Sequence, residues 1–174
     1  GNDSLQGGIG NDQLYAGYGD DIAYGGAGDD VLDGEYGNDI LLGDAGNDRI
    51  IGGFDSDFMS GGVGDDLLES HTTDVSNFVI EKDDMSGGAG RDTFRLRTDY
   101  LGGAASFNPL YDASFALIRD FSKVDDTLDM RYDKNYSIGY GNFYGGAALD
   151  TLITWQGNLV AVVQDNYLTS ANLV

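Results

Sequence analysis

Along the first part of the chain one apolar side chain returns at every ninth position: Leu5, Leu14, Ala23, Leu32, Leu41, Ile50, Met59 and Leu68, with Phe94 in a later copy. The six residues separating one apolar-centred triplet from the next are dominated by Gly and Asp. In a three-residue strand only the middle side chain points to one face. The pattern therefore predicts a six-residue turn followed by a three-residue strand, with the middle residues filling one narrow shared core. Two such units make one coil of a flattened solenoid. Strands then alternate between two parallel sheets, and turn n lies beside turn n+2 at the usual spacing of about 4.8 Å. A unit this small cannot bury its apolar face alone, so it must stack on its neighbours.

From Gly7 to Glu69 the period runs without insertion or deletion through seven copies, GGIGNDQLY, AGYGDDIAY, GGAGDDVLD, GEYGNDILL, GDAGNDRII, GGFDSDFMS and GGVGDDLLE. A truncated copy, GNDSLQ, opens the chain and an outlying one, GGAGRDTFR, begins at Gly87. Glycine takes positive φ at no steric cost, so the spaced glycines let each turn curl tightly and face carbonyl oxygens inward. Candidate turn glycines are Gly8, Gly10, Gly17, Gly19, Gly26, Gly28, Gly37, Gly46, Gly53, Gly62 and Gly64. Position six adds a carboxylate at Asp3, Asp12, Asp21, Asp30, Asp39, Asp48, Asp57, Asp66 and Asp92. Hard oxygen ligands without nitrogen or sulfur suit calcium, which takes about six to eight of them at roughly 2.3 to 2.6 Å; zinc and copper are poor candidates. Sharing one ion between a turn and the turn two copies on gives about six positions in the contiguous array, or up to about eight with the C-terminal region.

These repeats resemble the glycine- and aspartate-rich calcium-binding nonapeptides of the RTX family. The resemblance implies an all-β parallel β-roll with calcium between successive turns. It also implies a bacterial protein exported by type I secretion machinery and located outside the cell or on its surface. Departures from the pattern are local: Ala16 replaces the first Gly of one copy, Glu35 and Asp44 the second Gly of two others, and Asp55 the third Gly of the copy ending in Asp57. In the turn from Gly52 to Asp57 the non-Gly residue is expected to take a strained φ.

Composition sharpens the expectation. With 30 Asp and Glu against 9 Lys and Arg, the net charge is −21 and the metal-free repeats repel themselves. The 28 glycines and the high charge resemble compositions that stay disordered, so calcium binding should drive folding. Nucleic acid is disfavoured as a partner, because this charge repels phosphate. The chain has no cysteine, hence no disulfide scaffold or thiol chemistry. No apolar run approaches the ~20 residues that span a bilayer. The chain opens inside a repeat without a signal peptide, which reads as part of a longer protein whose upstream domain is a neighbour in the same polypeptide.

Residues 1–69 read as the contiguous roll, 70–95 as degenerate repeats with a loop insertion, and 96–174 as a β-rich cap, the region where a C-terminal secretion signal would lie. In the middle segment Asp83 and Met85 keep the acid and apolar positions of a degenerate copy, after a loop around residues 71–77. The single histidine, His71, reads as an exposed loop side chain. In the cap, FALIRDF, DTLDM, DTLITW and NLVAVVQD alternate as strands. The run IRDFSKVDDTLDM resembles the segment that follows the repeats in RTX proteases, lipases and epimerase modules. That resemblance implies further calcium at Asp120, Asp125, Asp126 and Asp129; solvated turn acids are the plainer alternative.

Two surface patterns stand apart from calcium. Position three places Tyr18, Tyr36 and Phe54 along one edge, predicting an aromatic ladder. The outward strand positions of one sheet carry Ile22, Tyr24, Ile40, Leu42 and Phe58, an apolar face fit for contact with the folded-back cap, a neighbouring domain or another copy. Arg95 and Arg97 alternate with Phe94 and Leu96, giving a small basic face suited to an anionic polysaccharide, or simply to local charge balance. No nucleophile, catalytic carboxylate pair or cofactor loop stands out from the period, so no enzyme activity is expected within these residues. The leading expectation is a calcium-dependent folding and secretion module; the alternatives are a self-assembling or adhesive module and an anionic-glycan-binding module.

Overall fold

A computed structural model describes residues 1–71, 82–97, 115–122, 125–129, 136–141, 150–155 and 158–163. Most of the loop expected around residues 71–77 lies outside the described residues. The chain forms two sheets wound as a parallel β-roll. Strands β1 (Ser4–Ile9), β3 (Ile22–Ala27), β5 (Ile40–Ala45), β7 (Phe58–Val63) and β9 (Lys82–Ala89) stack in one sheet. Strands β2 (Gln13–Tyr18), β4 (Val31–Tyr36), β6 (Arg49–Ile51), β8 (Leu67–His71) and β10 (Thr93–Arg97) stack in the other. No helix occurs among the described residues.

The sequence period is the register. Leu5 lies beside Ala23, Ala23 beside Leu41 and Leu41 beside Met59, while Leu14 lies beside Leu32, Leu32 beside Ile50 and Ile50 beside Leu68. These residues form two facing columns of a single core that is closed to solvent from Ala23 to Leu128, with Leu5 and Leu14 partly buried. Two apolar side chains per coil are a thin core against a backbone ordering cost of roughly 1–2 kcal/mol per residue. The turns must supply the rest.

The strands are longer than the predicted three residues. Most run for six, through the first two glycines and position three, because stacked identical turns pair along the axis as the strands do. Gly10 N–H, for example, donates to the Ala27 carbonyl at 2.8 Å. The irregular turn shrinks to positions four to six.

The register also continues into the cap. Strand β11 (Phe115–Ile118) adds to β9, with Ile118 beside Met85, and β12 (Thr127–Asp129) adds to β10, with Leu128 beside Phe94. Beyond β11 the first sheet continues through β15 (Asn158–Val163), β14 (Asp150–Trp155) and β13 (Tyr136–Gly141), whose antiparallel pairs close that edge. The cap thus prolongs the roll edge-on. Among the described residues it does not fold back over Ile40 and Phe58, each 39% exposed, so the apolar face is not covered in the way the sequence suggested.

The aromatic ladder is present: Tyr18 stacks on Tyr36 at 4.6 Å and Tyr36 on Phe54 at 4.7 Å, with rings within 8° of parallel. The outer face of the second sheet carries alternating charge. Glu69, almost wholly buried, accepts from Arg49 at 2.7 Å and from Arg95 at 3.2 Å, and Arg95 also reaches Asp129 at 3.0 Å. Arg95 therefore does not stand free as part of a basic face; it ties β8 to β12 across β10. Arg97 ends that strand.

The positive-φ positions without glycine are Glu35 (φ 67°), Asp44 (φ 71°) and Asp55 (φ 77°); Ala16, the other departure, is not among them. Left-handed backbone costs an L-residue roughly 1–2 kcal/mol. Glu35→Gly should therefore raise the stability of the calcium-loaded protein by about 1 kcal/mol, read from denaturant unfolding. Removing Arg95 takes one partner each from Glu69, which keeps Arg49, and from Asp129. Arg95→Ala should cost about 2–3 kcal/mol, below the full penalty for a buried pair because the guanidinium is partly exposed. Arg91→Ala, at an exposed pair with Asp65, should leave the unfolding midpoint nearly unchanged in the same assay.

Candidate metal sites

Each turn presents its position-six carboxylate in the same way. Oδ1 accepts the backbone N–H of the Asp one coil earlier: Asp12 donates to Asp30 at 2.7 Å, Asp21 to Asp39 at 2.8 Å, Asp30 to Asp48 at 2.8 Å and Asp48 to Asp66 at 2.8 Å. The other oxygen has no protein partner. Oδ2 of Asp12, Asp21, Asp30, Asp39, Asp48, Asp57, Asp66 and Asp92 is buried and makes no hydrogen bond. A buried carboxylate oxygen without a protein partner is costly, so a repeated set of them marks these turns as cation sites.

The first glycine of each turn shows what surrounds that oxygen. A Cβ on Gly7 would lie 2.8 Å from Asp12 Oδ2 and 2.6 Å from the carbonyl oxygen of Gly25; on Gly25 it would meet Asp30 Oδ2 at 2.6 Å and the Gly43 carbonyl at 2.8 Å. The same pair of oxygens recurs at Gly34, from Asp39 and Gly52, at Gly43, from Asp48 and Gly61, and at Gly61, from Asp66 and Gly87. Glycine is needed there because its missing side chain is the space the oxygens share. Carbonyls of Gly8 and Gly10 point along the axis at Gly26 and Gly28, and all the candidate turn glycines have positive φ, Gly88 and Gly90 joining them. One carboxylate per turn and several carbonyls form an oxygen cradle. Among the described residues no three acidic, His or Cys side chains cluster into a metal site, so an ion here would take most of its ligands from backbone carbonyls. The donor set fits calcium.

Electrostatics agree. Burial, reinforced by the neighbouring carboxylate of Asp83, drives Asp57 up to about 8. Burial with the coulombic push of nearby acids carries Asp39, Asp66 and Asp92 up to about 6, and raises Asp48. Hydrogen bonds from the preceding Asp N–H oppose these shifts without cancelling them.

The remaining candidates fall elsewhere. Asp3 is exposed at the first turn, with its N–H on Asp21 Oδ1 at 2.5 Å. Asp83 takes the repeat position, accepting from Asp57 N–H at 3.2 Å, but its Oδ2 accepts from the Ser70 hydroxyl at 2.5 Å. Asp126 likewise takes the place of the repeat Asp after Asp92, whose N–H it accepts at 2.9 Å, and its Oδ2 is filled by Ser122 N–H at 2.7 Å. Asp120 is spent on the turn above: Oδ1 accepts from Gly87 N–H, and Oδ2 from Gly88 N–H and the Ser86 hydroxyl, all within 2.9 Å. Asp125 accepts from the Ser122 hydroxyl at 3.0 Å, and Asp129 pairs with Arg95. Protein donors stand where the resemblance implied further calcium at Asp120, Asp126 and Asp129.

A second ladder went unread in the sequence. At position five, Asn2 accepts from Asp20 N–H at 3.1 Å, Asp20 from Asn38 N–H at 3.0 Å and Asn38 from Ser56 N–H at 3.3 Å. Asn11, Asp29, Asn47 and Asp65 do the same on the opposite edge. Amide and acid alternate, so stacked carboxylates are kept two coils apart; Asn38 and Asn47 amides also donate to Asp20 and Asp29. The signal is present in the sequence as a switch between amide and acid every eighteen residues, a 36-residue period superposed on the nine.

A parallel β-roll carrying two axial rows of oxygen cradles defines a calcium-binding repeat protein. Residues 1–32 and 33–68 each match the model of the RTX calcium-binding nonapeptide repeat (4 copies), so this part of the chain is an array of RTX calcium-binding nonapeptide repeats. No curated protein matches the chain. Among solved structures it is similar to the solution structure of the AlgE6R3 subunit from the Azotobacter vinelandii mannuronan C5-epimerase, at 22% identity and a TM-score of 0.39, over 97% of this chain and 80% of that one.

In chelator the buried acids fold more readily when protonated. Their folded values lie above the ordinary 3.8, so their contribution to stability is full below about pH 4 and is lost as pH rises through about 6 to 8. Circular dichroism in chelator should show a more ordered chain near pH 4.5 than at pH 8. The opposite order would contradict burial of these carboxyls.

Proposed function

We propose that this chain is a module that folds on binding extracellular calcium, and so supports type I secretion of a larger bacterial protein and its stability outside the cell. The observation that carries the reading is the row of buried, partnerless Oδ2 atoms facing inter-turn carbonyls. With calcium scarce, the array holds a stack of like charges on a thin core and stays extended enough for export. With calcium plentiful, each ion neutralises the carboxylate beside it and joins two turns, so binding free energy becomes folding free energy. Extracellular calcium modules work at roughly 10⁻⁴–10⁻³ M, which separates the cytosol from the outside. Under this reading any catalytic activity resides outside these residues.

A second reading, self-association, draws on the exposed side chains of Ile40 and Phe58 on the sheet face and of Val63 at one edge. A glycan-binding role for Arg95 is disfavoured by its engagement with Glu69 and Asp129.

Size-exclusion chromatography with light scattering, run in chelator and in millimolar calcium, separates these readings. The expected result is a large monomer in chelator and a compact monomer in calcium. A calcium-dependent rise in mass would favour self-association, and no change in size or mass would overturn calcium-driven folding. Asp48→Ala, inside the array, should move the transition to higher calcium, whereas Asp3→Ala at the exposed first turn should leave it nearly unchanged.

A further inference from the structure

The two edges of the roll are built from the same repeat but not to the same standard. One edge holds the turns ending in Asp12, Asp30, Asp48, Asp66 and Asp92. Its first position is Gly in every turn, at Gly7, Gly25, Gly43, Gly61 and Gly87, and its fourth is Gly throughout, at Gly10, Gly28, Gly46, Gly64 and Gly90. Its one departure is Asp44, at position two. All five carboxylates keep a buried, partnerless Oδ2, as do Asp21, Asp39 and Asp57 on the opposite edge.

The opposite edge holds the turns ending in Asp21, Asp39 and Asp57, and it departs from the repeat at the turn of Ala16 and at the turn ending in Asp57. Ala16 puts a methyl group at the first position, where in neighbouring turns a Cβ would strike the carboxylate and carbonyl oxygens of the cradle. Asp55 replaces the fourth-position glycine and holds φ 77°, against 119° to 147° on the other edge. Strand β6 leading into that turn has only three residues, and the turn is tied to its neighbour by an isolated bridge between Tyr36 and Phe54. The row then stops, because the Ser70 hydroxyl occupies Oδ2 of Asp83.

The same edge carries the stacked rings of Tyr18, Tyr36 and Phe54, whereas the other has Ile9, Ala27, Ala45 and Val63 at that position. Ring stacking holds turns at the strand spacing without a metal, and aromatic pairs contribute beyond the area they bury. Outlying acids do not separate the edges: Asp20, Glu35 and Asp55 on one are matched by Asp29, Asp44 and Asp65 on the other.

We propose that the roll binds calcium in two classes: a tight, continuous row on the edge of Asp12, Asp30, Asp48, Asp66 and Asp92, and a weak row on the edge of Asp21, Asp39 and Asp57, whose turns are held in part by the aromatic stack. The inference rests on the calcium-driven folding proposed above and adds its order. The tight row fills first and closes the coils; the weak row responds to calcium in the range where the folded protein already exists. The module thus retains a sensor edge after folding.

The test is a calcium titration of the whole chain from chelator, followed by far-UV circular dichroism for the sheets and near-UV circular dichroism for the tyrosine stack, with bound calcium counted by equilibrium dialysis. Two phases are expected, separated by about tenfold in calcium, the span of extracellular calcium modules. Asp48→Asn should shift the first phase; Asp39→Asn should shift only the second and the near-UV signal. Because a lost carboxylate can simply impair folding, a repaired variant provides the converse: Ala16→Gly with Asp55→Gly should draw the second phase toward the first. A single phase with all sites alike, or a first phase moved by Asp39→Asn and not by Asp48→Asn, would overturn the inference while leaving calcium-driven folding intact. A chain that binds no calcium would overturn both.

Discussion

The structure depends on how one carboxylate divides its two oxygens. Oδ1 of each repeat Asp accepts the backbone N–H of the Asp one coil before it, and this bond fixes the turn at the strand spacing. Fixing one oxygen aims the other, Oδ2, into the gap between turns, where it finds carbonyls and no donor. The stacking bond and the metal site are thus the same side chain in the same rotamer. A turn that stacks this way aims its second oxygen between turns, where a cation or a protein donor must meet the charge it buries.

This arrangement explains where protein donors replace metal. At Asp83 a hydroxyl and at Asp126 a backbone N–H take up Oδ2, and the interlocked charges of Arg49, Glu69, Arg95 and Asp129 span the second sheet beside them. The coils near the C-terminal end of the roll are therefore joined by directional bonds between protein groups. The earlier coils lean on an ion that bonds through charge and tolerates variable geometry. The glycine-rich repeats and the aromatic, arginine-bearing segment are two solutions to one problem, holding parallel coils together over a core two side chains wide.

Much of this was legible in the sequence because the repeat makes distant contacts look local. Once Leu5 returns as Leu14 and Ala23, the core columns, the two sheets and the Asp row follow from the period. Features set by what lies beside a residue in space were not legible. Strand length escaped because Gly7 to Ile9 pair only when an identical turn is stacked on them. Position five looked variable because Asn and Asp alternate over eighteen residues. Asp129 and Asp120 were read as metal candidates because nothing in sequence puts them against Arg95 or the Ser86–Gly88 turn. Asp126 was grouped with them although it keeps the repeat's own register.

The step between stacked turns is 18 residues through most of the array, 26 where Asp57 meets Asp83 and Asp66 meets Asp92, and 34 where Asp92 meets Asp126. Through all three the pairing stays in phase, Met59 beside Met85 and Phe94 beside Leu128. The roll therefore keeps count of rungs rather than of residues. Surplus chain can be carried between rungs without disturbing those on either side, so the scaffold can acquire new surface by insertion while its axial bonding stays untouched.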